Sequence, residues 1–258
     1  MSEIALAVKD VSVSFGGVSA LTQVTAEFPK GEITGIIGPN GAGKTTLLNV
    51  ICGMNVVDAG EVFMGKHRLN GLKPSRIAAL GLRRTFQASQ LFAGMTVLEN
   101  MMAGLHLMGT TGVIGAIIRS RRMREEEAIM RERALEALEF VGFRHFADRP
   151  GSALSFGQQR IIEIARTLIY EPQVVLLDEP AVGLSVNRVA ELDDLLRRIR
   201  DERGVTLIMI EHVIRLVMGV SDRVVVLNSG RKIAEGLPEE VRNNETVVEA
   251  YLGHQAHA

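Results

Sequence analysis

The run GPNGAGKTT at residues 38–46 constrains this chain more than any other feature, because it matches G-x-x-x-x-G-K-[ST] from Gly38 through Gly43, Lys44 and Thr45. Glycines let backbone N–H groups curl around phosphate oxygens, the lysine brings a point charge to the β and γ phosphates, and a helix N-terminus adds partial positive charge. The loop as a whole, Gly38, Pro39, Asn40, Gly41, Ala42, Gly43, Lys44, Thr45 and Thr46, is therefore expected to cradle a nucleoside triphosphate, with the Thr45 hydroxyl on Mg²⁺. Average residue usage makes a chance match in a chain of this length about one in a hundred. The flanks agree with the motif: the Ile-rich segment 32–38 reads as a strand and TTLLNVICGM has helical composition, giving strand, loop, helix.

Such a loop needs a carboxylate at the end of another strand. The apolar run 174–177 ends in Asp178, expected to hold the metal's water shell, and Glu179, placed to accept a proton from an attacking water. Two further apolar runs, 206–210 and 224–227, suit strands buried on both faces of a parallel sheet. Between the runs 174–177 and 206–210, residues 187–203 carry apolar side chains at helical spacing, and Gly204 stops that helix. Strand and helix alternate, as in a layered α/β core. Near the start, Val11, Val13 and Phe15 alternate with Ser12 and Ser14 as in a half-buried strand.

The stretch from about Gln90 to Leu154 offers no convincing strand and includes the charge-dense helix RRMREEEAIMRERALEALEF, so it reads as an inserted helical lobe. After it, LSFGQQR places Ser155 three residues before Gln158, the spacing of a capping box, with Gly157 leaving N–H groups bare for an anion.

With 258 residues, 47% hydrophobic and 23% charged, the composition is that of an ordinary globule, and a net charge of -1 gives no nucleic-acid footprint. The single Cys52 excludes an internal disulfide and fits a reducing compartment. The apolar run 112–118 is far short of the roughly 18 residues of a membrane span, so membrane association is expected through a partner.

Taken in order, GPNGAGKTT, Gln87, LSFGQQR, VVLLDEP and His212 resemble the ATPase subunits of ABC transporters, over essentially the whole chain. RTFQ at 84–87, LFAGMTVLEN at 91–100, IEH at 210–212, LVMGVSDR at 216–223 and the terminal AYLG look like the branched-chain amino acid importer ATPase, the larger of its two related subunits. The resemblance implies a P-loop NTPase core with an N-terminal antiparallel β subdomain and an inserted α-helical lobe. The expected division is 1–89 for the first part of a RecA-like core, 90–154 for the lobe, 155–240 for the signature helix and the rest of the core, and 241–258 for a C-terminal helix and tail.

The resemblance further implies ATP and Mg²⁺ as ligands and a second ABC ATPase subunit, equal or related, whose Ser155, Gly157 and Gln158 act across the nucleotide. It gives Gln87 a place beside Mg²⁺, His212 a hydrogen bond to the γ-phosphate, and Phe15 an adenine-stacking role, although alternation allows Phe15 a place in the core. It implies docking of integral-membrane permease subunits near Leu91 to Met102, indirect work with a solute-binding protein, no nucleic-acid partner, and a peripheral position on the cytoplasmic face of the inner membrane. An amide or urea importer, or a non-transport ABC ATPase, remains open as the alternative. Two positions depart from the general pattern: Phe156 stands where Gly is usual, and Ser185, expected to cap the following helix, stands where Asp or Asn is usual.

Overall fold

The computed structural model describes residues 3–85, 91–105 and 121–255. Gln87 and the apolar run 112–118 lie outside the described residues. The chain divides into two compact units, one formed by residues 1–87 with 172–258 and the other by 88–171.

The first unit holds two sheets. β1 (Ile4–Phe15) and β2 (Val18–Pro29) form a hairpin. Its two-residue turn, Gly16-Gly17, has positive φ at both positions, as a tight turn matched to strand twist requires. β4 (Ala59–Met64) and β5 (His67–Arg68) complete an antiparallel sheet in the order β2-β1-β4-β5. Val11 and Val13 point into its core, as their alternation predicts, while Phe15 at the strand end is 51% exposed. The core reading of Phe15 is thereby corrected, because the strand outlasts the surface it packs on.

The second sheet is the one the apolar runs predict. β3 (Ile33–Ile37), β6 (Leu82–Arg84), β7 (Val174–Asp178), β8 (Thr206–Ile210) and β9 (Arg223–Asn228) run parallel, and β10 (Arg231–Gly236) closes one edge antiparallel, in the order β10-β9-β3-β8-β7-β6. Every residue of β3, β7 and β8 is buried, so each buried Ile, Leu or Val contributes about 1.5–3 kcal/mol of transfer free energy. Around this sheet stand α1 (Lys44–Ile51) and α2 (Pro74–Ala79). The later part of the unit adds α6 (Val186–Arg203), α7 (Ile214–Val220), α8 (Pro238–Arg242) and α9 (Glu245–Gln255). Gly204 ends α6 in the left-handed conformation, as the sequence requires.

In the second unit α3 (Val97–Leu105), α4 (Arg121–Phe140) and α5 (Phe156–Leu168) pack on one another. Met101, Ala134, Leu138, Ile162 and Ala165 are fully buried, and Glu125, Glu127, Arg131 and Glu132 remain exposed. This unit runs on to residue 171, so α5 clusters with the helices before it rather than with the core, past the expected boundary at 154. An apolar stripe on α5 buries Ile161, Ile164 and Leu168.

Candidate nucleotide site

β3 lies between β8 and β9, and parallel sheets of this kind expose their ligand crevice at the carboxyl ends of the strands. Three loops leave those ends: 38–43 after β3, Glu179 and its followers after β7, and Glu211 to Val213 after β8. They line a cavity of about 240 Å³ bounded by Ala20, Asn40 to Thr46, Glu179 and His212. A larger cavity, about 720 Å³, lies by the end of α1 and the β4–β5 hairpin and has no residue of the loop 38–46 in its wall. The smaller one carries the groups with chemistry.

The glycines of the loop are dictated by space as well as by φ. At Gly38 (φ 152°) a Cβ would sit 2.0 Å from the Leu227 carbonyl oxygen, and at Gly43 (φ 98°) 2.6 Å from that of Ala20. Gly43 opens α1 with no side-chain cap, which leaves the first N–H groups of the helix for an anion. Lys44 is buried and donates from Nζ to the carbonyls of Gly38 at 2.7 Å and Pro39 at 2.9 Å. Burial pushes its pKa down, opposed by the nearby Glu179 carboxylate.

Glu179 adopts φ 49°, a left-handed conformation costly for a residue with a Cβ and characteristic of functional sites. The turn re-aims its carboxylate from the end of β7 toward His212, whose Nε2 lies 3.0 Å from Oε1. Asp178, the last residue of β7, is buried and paired with Arg84 at 2.7 Å. Thr45 and Asp178 supply hydroxyl and carboxylate oxygens, the hard donors Mg²⁺ takes. Among the described residues no cluster of three or more His, Cys, Asp or Glu is able to hold a metal. The donor set thus fits an ion that keeps waters and arrives with phosphates, rather than one caged by protein.

Glu211 carries no motif of its own in the sequence. It is 1% exposed and its carboxylate accepts from the backbone N–H of Ala181 at 2.5 Å, His212 at 2.9 Å and Val213 at 3.2 Å. Burial pushes its pKa up while these three bonds pull it down. One side chain thereby fixes the loop after Glu179 to the loop carrying His212. Tyr251 on α9 has its phenol pKa pushed up by burial, opposed by the nearby Gly38 backbone, so α9 reaches the first residue of the phosphate loop.

In the second unit the capping box forms as expected: Gln158 N donates to Ser155 Oγ at 3.3 Å and Ser155 N to Gln158 Oε1 at 2.9 Å. Ser185, by contrast, occupies the N-cap position of α6 without any side-chain cap bond, which corrects that expectation.

Fold and site together define a P-loop ATPase. The ABC transporter family model matches residues 21–182, and a model for the branched-chain amino acid ATP-binding cassette transporter matches 231–257. The high-affinity branched-chain amino acid transport ATP-binding protein LivG of Salmonella typhimurium is 41% identical over 98% of this chain and 99% of its own. BraF of Pseudomonas aeruginosa, described in the same words, is 38% identical over the same shares. Among solved structures, an ATP-binding cassette of an ABC transporter in its ADP conformation superimposes with a TM-score of 0.86 at 33% identity, covering 98% of this chain and 100% of that one. A dimeric cassette bound to ADP and Pi in a post-hydrolysis state gives 0.74 at 27% identity, over 90% and 98%. The chain belongs to the ABC transporter family, as one of its ATPase subunits.

Proposed function

We propose that this chain drives an importer of branched-chain amino acids, converting ATP and water to ADP and phosphate between two cassettes. The Glu179 to His212 pair at the mouth of the phosphate loop carries this reading. ATP lies over residues 38–46 with its β and γ phosphates on Lys44, which exchanges its two carbonyl partners for phosphate oxygens. Thr45 and Asp178 would hold Mg²⁺, an ion that would supply the charge to offset the phosphates, and the family resemblance assigns Gln87 to the same ion. Glu179 takes the proton of the attacking water as general base, and His212 orients Glu179 before ATP binds and then turns its N–H to the γ-phosphate.

Ser155, Gly157 and Gln158 of a second cassette complete the site. The dimeric relative bound to ADP and Pi supports this arrangement. Ser155 is exposed, and while its oxygen accepts a long bond from Gln158 N at 3.3 Å its own O–H is kept for a γ-phosphate. Exposed Phe15 supplies the adenine platform.

The permease docks on the second unit near Leu91 to Met102. Phe92 and Met95 there are 55% and 40% exposed, while buried Asn100 ties their loop together by accepting from Phe92 N and donating to the carbonyls of Phe92, Met95 and Thr96. Among the described residues no helix is long and apolar enough to cross a membrane, which fits a peripheral subunit on the cytoplasmic face. The solute-binding protein acts through the permease. The C-terminal family match and the LivG and BraF relatives support branched-chain amino acids over amides or urea.

Proteoliposomes holding the chain, its ATPase partner and the permease should take up leucine with ATP and lose uptake with Glu179→Gln. Uptake of urea or an amide in place of leucine would contradict the solute, and unaltered hydrolysis by the variant would contradict the catalytic role.

A further inference from the structure

Asp178 is nine-tenths buried, and a carboxylate there with no cation costs several kcal/mol. Yet a nucleotide-hydrolysing subunit passes through states without Mg²⁺ in every cycle. Arg84, equally buried on the neighbouring β6, meets this need with Nη2 at 2.7 Å from Asp178 Oδ2. Its other terminal nitrogen donates to Asn49 Oδ1 at 2.6 Å. Asn49 lies one turn along α1 from Thr45, on the same face. The guanidinium thus spans the helix bearing Thr45 and the strand ending in Asp178. Thr85, the next residue, reinforces the link by accepting from Asp178 N at 3.3 Å.

We infer that Arg84 is a positioning residue that holds Asp178 and α1 in register and stands in for Mg²⁺ when the ion is absent. This rests on the reading of Asp178 as the carboxylate facing Mg²⁺. A guanidinium on one oxygen of that carboxylate also weakens the pull of the other on a divalent ion, so Arg84 sets how much Mg²⁺ the site needs. Arginine suits the task because its rigid planar fork holds two acceptors in a fixed geometry, whereas the donors of an ammonium rotate on a flexible stem. The role lies outside phosphate binding and outside proton transfer.

The test is a Mg²⁺ titration of the full chain loaded with methylanthraniloyl-ADP, read by fluorescence rather than by turnover. Arg84→Met should lower the Mg²⁺ concentration at half-response on the order of tenfold, as expected for removal of one nearby positive charge. Arg84→Lys should stay within about twofold of the parent, since the charge is kept. Arg84→Gln, which retains a donor for Asn49, carries the same expectation as Met should that variant not fold. An unchanged or raised half-response in both neutral variants would overturn the inference. Asp178→Asn separates the two readings. If it leaves the parent's Mg²⁺ response untouched, the role of Asp178 falls and that of Arg84 with it. If it raises the half-response while the Arg84 variants do nothing, only the inference about Arg84 falls.

Discussion

His212 Nε2 stands 3.0 Å from Glu179 Oε1, and the two residues come from loops that leave adjacent parallel strands. The contact forms because Glu179 takes a left-handed turn at the end of its strand. A carboxylate so placed is expected to act as the base, and removing it should cost about 10²–10⁴ in turnover. Glu179→Gln should therefore show that loss in a phosphate-release assay while retaining ATP. His212→Ala should lose turnover as well, because it frees the base from its orienter. A variant of either kind with parental turnover would remove that residue from the mechanism.

The phosphate loop tolerates no side chain at its first position. Gly38→Ala places a methyl 2.0 Å from the Leu227 carbonyl oxygen, at a φ that L residues rarely adopt. Nucleotide binding by equilibrium dialysis should fall below detection. Gly41→Ala is the informative comparison, since a Cβ there meets nothing within 4 Å and only the left-handed backbone opposes it. It should lose affinity by a smaller factor, and equal losses would show that backbone conformation rather than contact governs the loop.

Glu211 joins two catalytic loops through three backbone N–H groups. Glu211→Ala leaves buried donors without an acceptor and should lower stability by about 2–4 kcal/mol in chemical denaturation of the nucleotide-free chain. Turnover should fall too, because the loops carrying Glu179 and His212 lose their common anchor. A loss below about 0.5 kcal/mol, the range of an ordinary surface substitution, would contradict the role.

Lys44 sets a pH dependence whose sign differs for stability and for binding. Burial lowers its pKa in the folded chain below the usual 10.5, so between the two values the unfolded chain holds more protons. This group's contribution to nucleotide-free stability therefore rises with pH through that window. Affinity for ATP moves the opposite way, because phosphate binds the charged ammonium. Titration calorimetry from neutral pH toward 10.5 should find ATP affinity declining before an ordinary lysine would titrate. Constant affinity up to 10.5 would show that Lys44 keeps its charge in the nucleotide-free site.

Much of this was legible in the chain because it rests on local rules. The buried strands were runs of Ile, Leu and Val, the loop 38–46 was spelled by its glycines, and Ser155 with Gln158 formed the box their spacing implies. What escaped was set by tertiary neighbours. Glu211 reads as any acid after a strand until the Ala181 N–H is brought to it, and Arg84 reads as a surface base until β6 lies beside β7. Ser185 shows the reverse: a residue well suited to cap α6 stands at the right place and makes no bond. Phe15 continues a pattern of alternation past the end of the surface that pattern buries.

The most direct test of the central claim, that each chain carries half of an ATP site, is turnover per chain across a dilution series of the purified ATPase pair at saturating ATP and Mg²⁺. If Lys44 and Glu179 of one cassette need Ser155 and Gly157 of the other, specific activity should fall steeply below the dimer dissociation constant. Specific activity that stays constant down to dilutions where only monomer is present would contradict the account.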